Sequence, residues 1–147
     1  MIKLAITGGI ASGKSTAAKY FENKSAYIFN ADKESKKHLK SSLTLQKKIA
    51  DIFGNEILIN NKINFKALAD VAFSSNTNNN ILNGLMWPEI FLIINNNYEK
   101  IKINGKHKIF IVDAALIFEA NYISFFDYTL LITASKNKRL KRAVERK

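Results

Sequence analysis

Cysteine is absent from this chain, so neither a disulfide framework nor a thiolate-held zinc site is open to it. No apolar run reaches the length needed to span a bilayer, and Met1 leads straight into the strand-like IKLAI instead of a basic and then apolar leader. No membrane partner and a cytoplasmic location are therefore expected. Arginine is scarce: Arg139, Arg142 and Arg146, all near the C-terminus, stand among 23 basic residues. The lysines are spread along the chain, with runs such as NTNNN at 76–80 and INNN at 94–97. The net charge of +11 thus reads as a bias towards Lys, Asn and Ile rather than a surface made for nucleic acid. There is no basic patch interleaved with aromatics, and no nucleic-acid partner is expected. Disorder is excluded by composition, with 47% apolar and 24% charged residues. A chain of 147 residues buries roughly two-thirds of its unfolded surface. Glycine is also sparse, yet three of the six glycines fall within residues 8–13.

Hydrophobic periodicity organises the rest. IKLAI (2–6) is a short apolar, β-branched run that the glycines end, and from Lys14 the apolar residues Ala17, Ala18 and Phe21 recur at helical spacing. AYIF (26–29) reads as a second strand, followed by a helix over about 32–39. TLQKKIADIFG (44–54) is an amphipathic helix stopped by Gly54, and NFKALADVAF (64–73) carries one apolar face. The polar tract SSNTNNN is expected to separate that helix from a long helical segment starting at Ile81, in which Pro88 either begins a helix or kinks it. KHKIFIVDAAL (106–116) and DYTLLIT (127–133) are continuous apolar runs of the kind that strands buried on both faces show. A basic helix closes the chain from about Ser135. Buried strands alternating with helices predict an α/β fold, a parallel sheet flanked by helices in three layers. With no repeat and no linker, residues 1–147 read as a single domain.

Residues 8–15, GGIASGKS, satisfy G-x-x-x-x-G-K-[ST] at every fixed position, between an apolar strand and a helix. Glycines let successive N–H groups turn inward as an anion-binding nest, and the following helix adds its positive end. Lys14 can reach the outer phosphates, Ser15 can join the coordination shell of Mg²⁺, and Thr16 is placed for the inner phosphate. The pattern predicts a nucleoside triphosphate with Mg²⁺, held by Gly8, Gly9, Ala11, Ser12, Gly13, Lys14, Ser15 and Thr16.

The loop does not name the acceptor. A GTPase needs DxxG and NKxD, but Asp113 is followed by Ala-Ala-Leu and Asn137-Lys138 by Arg-Leu. A small-molecule kinase needs a carboxylate near the loop, and Asp32 follows the second strand, at the end of the sheet where ligands bind. It could equally cap the next helix. Asp113 ends a buried strand and could serve a phosphate-bound cation.

In order and spacing, TGGIASGKST, NADKESKKHL, FGNEIL, INFKALADVAF, WPEI, VDAALIFE and RLKRAVER resemble the dephospho-CoA kinase family. The resemblance runs from Lys3 to the last residue. It implies a P-loop kinase fold and ATP-dependent phosphorylation of the ribose 3′-hydroxyl of dephospho-CoA, the last step of coenzyme A synthesis. It implies that Ala11 to Thr16 bind ATP, that Asp32 takes the hydroxyl proton, and that Thr7 lines the same cleft. Leu116, Ile117, Phe118 and Glu119 match the family's L-L-F-E on the acceptor side. Arg142 and Arg146, four apart on one helix face, match its lid arginines, Arg142 steadying charge on the migrating phosphoryl group. The family does not depend on an acid at Asp113.

The sequence departs from the family pattern at Asn30 for the first Asp of D-A-D, Phe65 for an arginine, Trp87 for the histidine of H-P, and Ala115 for the proline before L-L-F-E. It also stops at Lys147, where the family continues into a lid. An active kinase is the first reading, a short nucleotide-binding relative without chemistry the second, and a nucleic-acid-associated ATPase a distant third.

Overall fold

The computed structural model of the protein describes residues 1–22, 24–115 and 117–145. It is an α/β fold of two compact units, one formed by Met1–Asp32 with Ile93–Lys147, the other by Lys33–Leu92.

The first unit is built on a parallel sheet of β1 (Ile2–Thr7), β2 (Ala26–Asn30), β5 (Ile109–Asp113) and β6 (Tyr128–Leu131), in the order β2-β5-β1-β6. Alternate residues of these apolar runs serve the two faces of the sheet. Ile6, Ala26 and Ile111 pack on one face with Ala18 of helix α1 (Lys14–Glu22), and Phe21 joins them. On the other face the fully buried Phe110 stacks on Tyr27 at 5.5 Å and meets the edge of Tyr98 at 5.5 Å. Tyr98 belongs to helix α5 (Asn76–Asn104), so the sheet lies between helices as the three-layer expectation requires. The last helix, α6 (Lys136–Val144), follows β6, with Ser135 at its N-cap.

Strand order decides where a ligand can sit. From β1 the chain crosses to β2 beyond β5, whereas from β5 it crosses to β6 beyond β1. The connections leave β1 and β5 in opposite directions, which opens a crevice between their C-terminal ends. Those ends are level: Ile6 pairs with Asp113, and Asn30 of β2 pairs with Asp113 from the other side.

In the second unit, the C-terminal part of α2 (Ala31–Ser41), α3 (Leu43–Phe53), the hairpin of β3 (Leu58–Ile59) and β4 (Lys62–Ile63), and α4 (Phe65–Ala72) enclose Leu39, Leu45, Ile49, Phe53, Ile57, Ile63 and Leu68. The buried amide of Gln46 ties them together, donating to Leu39 O at 2.9 Å and Lys40 O at 3.1 Å and accepting from Ile63 N–H at 3.1 Å.

Two expectations change. The tract SSNTNNN is not a separator, because α5 already begins at Asn76. Ser75 accepts the Asn78 N–H at 3.1 Å, and the Asn78 amide reaches back to Val71 O at 3.1 Å, so side chains satisfy the first turn and outweigh the poor helix propensity of asparagine. Pro88 lies inside the continuous helix and does not begin it. The β3–β4 hairpin has strands too short to show a period, and Asn60 and Asn61, at φ 51° and 59°, form its turn. No helix among the described residues is long and apolar enough to cross a membrane.

Candidate functional site

The loop between β1 and α1 adopts positive φ at Gly8 (150°), Ala11 (58°) and Gly13 (108°), which bends it around its own amides. Gly8 is required on two counts. Its φ disfavours a side chain, and a Cβ there would run into the carbonyl oxygen of Ile132, whose N–H donates to Thr7 O at 2.8 Å. Lys14 Nζ donates to Gly8 O at 2.7 Å and to Gly9 O at 3.4 Å, which holds the ammonium over the strand end of the loop.

At the mouth of the crevice, Ser15 Oγ donates to Asp113 Oδ2 at 3.3 Å. Asp113 is only 5% exposed, and burial raises its pKa above the ordinary carboxylate value. Lys14 and the Ser15 hydrogen bond oppose that rise, and the charge of Asp32 adds to it. Asp113 and Asp32 therefore sense each other, with Asp113 on the central strand next to the loop and Asp32 just beyond β2. Asp32 is exposed and occupies the first turn of α2, which starts at Ala31. It is inside the helix, so the capping alternative does not describe it, while the helix dipole still favours a negative charge there.

Arg142 comes back onto the loop, its Nη1 donating to Ala11 O at 3.4 Å and Ser12 O at 3.3 Å. Beside it an open pocket of about 480 Å³ is lined by Ser12, Gly13, Thr16, Ala17, Tyr20 and Arg142. That volume falls within the usual range for a small-molecule site. Thr7 is nearly fully buried and its hydroxyl donates to Ala115 O at 3.1 Å, so here it braces the loop after β5 and offers no free hydroxyl to a cleft. Beyond that loop Ile117 is buried, Phe118 is 48% exposed and Glu119 is exposed. Leu116 and Arg146 lie outside the described residues.

The structure thus brings together Gly8 to Thr16, Asp32 and Arg142, the residues that the sequence picked out, and adds Asp113 firmly to them. It also adds two that sequence reasoning missed. Tyr20 lines the pocket one turn beyond Thr16, and Arg139 presses its guanidinium on Gly9. The signal for Arg139 was present: it lies three residues before Arg142 and so shares its helix face.

A family model for dephospho-CoA kinase matches residues 2–147. The chain belongs to the dephospho-CoA kinase family. Among relatives so named, that of Chlamydia caviae is 32% identical over 142 residues, covering 97% of this chain and 70% of its own. That of Fusobacterium nucleatum is 34% identical over 144 residues, covering 97% and 72%. In fold, the chain is similar to the crystal structure of TT1252 from Thermus thermophilus, with TM-score 0.81 and 22% identity over 99% of this chain and 72% of that one. Dephospho-CoA kinase from Campylobacter jejuni gives TM-score 0.63 and 19% identity, covering 97% and 94%. The P-loop kinase fold expected from the sequence is therefore the fold of the family's solved structures.

Proposed function

We propose that the chain transfers the γ-phosphoryl group of ATP to the ribose 3′-hydroxyl of dephospho-CoA, giving coenzyme A and ADP. The observation that carries this reading is the convergence, at the C-terminal ends of β1, β5 and β2, of a phosphate-binding loop, a Ser15–Asp113 pair and the exposed carboxylate of Asp32. The family model runs through both compact units, which supports one kinase domain over residues 1–147.

In this reading the loop amides and Lys14 hold the outer phosphates, with Thr16 at the inner one. Asp32 accepts the proton of the ribose hydroxyl as its oxygen forms a bond to the γ-phosphorus. The bridging P–O bond to the β-phosphate breaks, and ADP leaves with that oxygen. Arg142, tethered to the loop, stands where charge on the migrating group can be balanced. Leu116, Phe118, Glu119 and Arg146 are assigned to the acceptor side, whereas Thr7, its hydroxyl held by Ala115 O, is assigned a bracing role.

Mg²⁺ fits the donors present. The Ser15 hydroxyl and the Asp113 carboxylate are hard oxygen ligands 3.3 Å apart; burial raises the Asp113 pKa, and Lys14 opposes that rise. Bound there with the nucleotide, Mg²⁺ would neutralise phosphate charge. The described residues hold no cluster of three or more His, Cys, Asp or Glu that could bind a metal, which suits an ion held largely by phosphates and water. With ATP and dephospho-CoA as substrates, the cytoplasm is the proposed location.

The test is direct: coenzyme A formation by the purified chain with ATP, Mg²⁺ and dephospho-CoA. A folded sample that binds ATP but forms no coenzyme A under these conditions refutes the kinase reading.

A further inference from the structure

We infer that Arg139 is a second loop-facing arginine that contacts the terminal phosphate of ATP, a role distinct from that of Arg142; the inference deepens the reading above and rests on it. Three observations converge on one end of the loop. First, Arg139 Nη1 lies 2.6 Å from where a Cβ of Gly9 would be, so the guanidinium occupies the space that the missing side chain leaves open. Second, Lys14 Nζ is held at Gly8 O and Gly9 O, which puts the ammonium that serves the outer phosphates at this same end. Arg142 instead bonds Ala11 and Ser12 and lines the pocket with Gly13 and Thr16, so the two arginines meet different parts of the loop.

Third, the donors gathered here lack acceptors. Arg139 Nε is buried with no hydrogen-bond partner among the described residues, and so is Ser12 Oγ. Ser12 Oγ lies beside Gly8, 3.0 Å from where a Cβ of that glycine would be. Arg139 forms no ion pair with a carboxylate among the described residues. A solvated arginine on a basic helix would turn its charge to water. This one instead lays its Nη1 against an anion-binding loop, while its Nε–H is buried and unsatisfied. A multiply charged anion supplies the acceptors that the protein does not, and the planar fork of arginine is matched to phosphate oxygens.

The position along the loop makes the inference specific. An arginine at the Gly8–Gly9 end reads the group that ATP has and ADP lacks. Binding of ATP and of ADP is therefore measured by calorimetry, without acceptor, for the wild-type chain, Arg139→Gln and Arg139→Lys, with thermal midpoints confirming that each folds. Arg139→Gln is expected to weaken ATP roughly ten- to hundredfold, the value of a hydrogen bond to a charged group, and ADP less than about twofold. Arg139→Lys keeps a point charge without the fork and should recover part of the loss. Equal weakening of ATP and ADP, or no change in either, overturns the inference. Because no acceptor is present, the result stands apart from the outcome of the coenzyme A assay.

Discussion

Replacing Asp32 by Asn separates chemistry from binding and from folding. The carboxylate is exposed and lies in the first turn of α2, so its contribution to stability is limited to the helix-end effect of about 0.3–1 kcal/mol. Relief of its repulsion with Asp113 offsets part of that loss. In a chain of this size such a change moves the thermal midpoint by no more than about 4 °C. Loss of a general base, in contrast, lowers turnover by about 10²–10⁴. At about 1.36 kcal/mol per tenfold, that is roughly 3–5 kcal/mol of barrier, several times the folding effect. ATP affinity should hold, because none of the loop hydrogen bonds involves Asp32. Single-turnover phosphoryl transfer, calorimetry with ATP and a thermal melt measure the three quantities independently. A carboxyl NMR titration adds a fourth readout, since removing the Asp32 charge should lower the pKa of Asp113. A turnover loss below tenfold, or a parallel loss of ATP affinity, would refute the assignment of Asp32 as base.

Asp113→Asn should weaken Mg²⁺-dependent ATP binding yet stabilise the fold at neutral pH. Burial lifts the Asp113 pKa above its ordinary 3.8, so the folded state holds that proton more tightly than the unfolded state. Wild-type stability therefore falls as pH rises from 3.8 through the raised value, and the variant lacks that fall, so its advantage in thermal midpoint must be larger at pH 7 than at pH 4. Gly8→Ala, with φ at 150° and the Ile132 carbonyl in the way, should cost about 1–3 kcal/mol in a denaturant titration and reduce ATP affinity more than tenfold. Gln46→Leu strands the buried Ile63 N–H and should cost about 1–3 kcal/mol while leaving ATP affinity unchanged, since every partner of Gln46 lies within the second unit.

The legible parts of this chain are those where one local interaction decides the outcome. The glycine loop could be read because G-x-x-x-x-G-K-S needs only the backbone freedom of glycine and its place between a strand and a helix. The apolar runs at 2–6, 26–29, 109–112 and 128–131 could be read because strands packed against helices are rich in apolar and β-branched residues. Only β5, however, is buried along nearly its whole length; β6, expected to be buried on both faces, lies at the sheet edge with Tyr128 and Leu131 exposed. The start of α5 was misplaced because the capping contacts of Ser75 and Asn78 reverse what an asparagine-rich tract indicates by propensity alone. Asp32 stayed ambiguous because cap and base look alike until the helix start is known.

By itself the sequence determined the fold class, the triphosphate loop and, through its ordered motifs, the family resemblance, all of which depend on spacing along the chain. Tertiary structure decided how distant residues meet. It laid β5 between β1 and β2, which puts Asp113 against Ser15 and within reach of the charge on Asp32. It also folded α6 back so that Arg139 lies against Gly9 while Arg142 bonds Ala11 and Ser12 of the same loop. Those pairings join residues about a hundred positions apart, where no local propensity acts and only the order of strands in the sheet selects which side chains share the crevice.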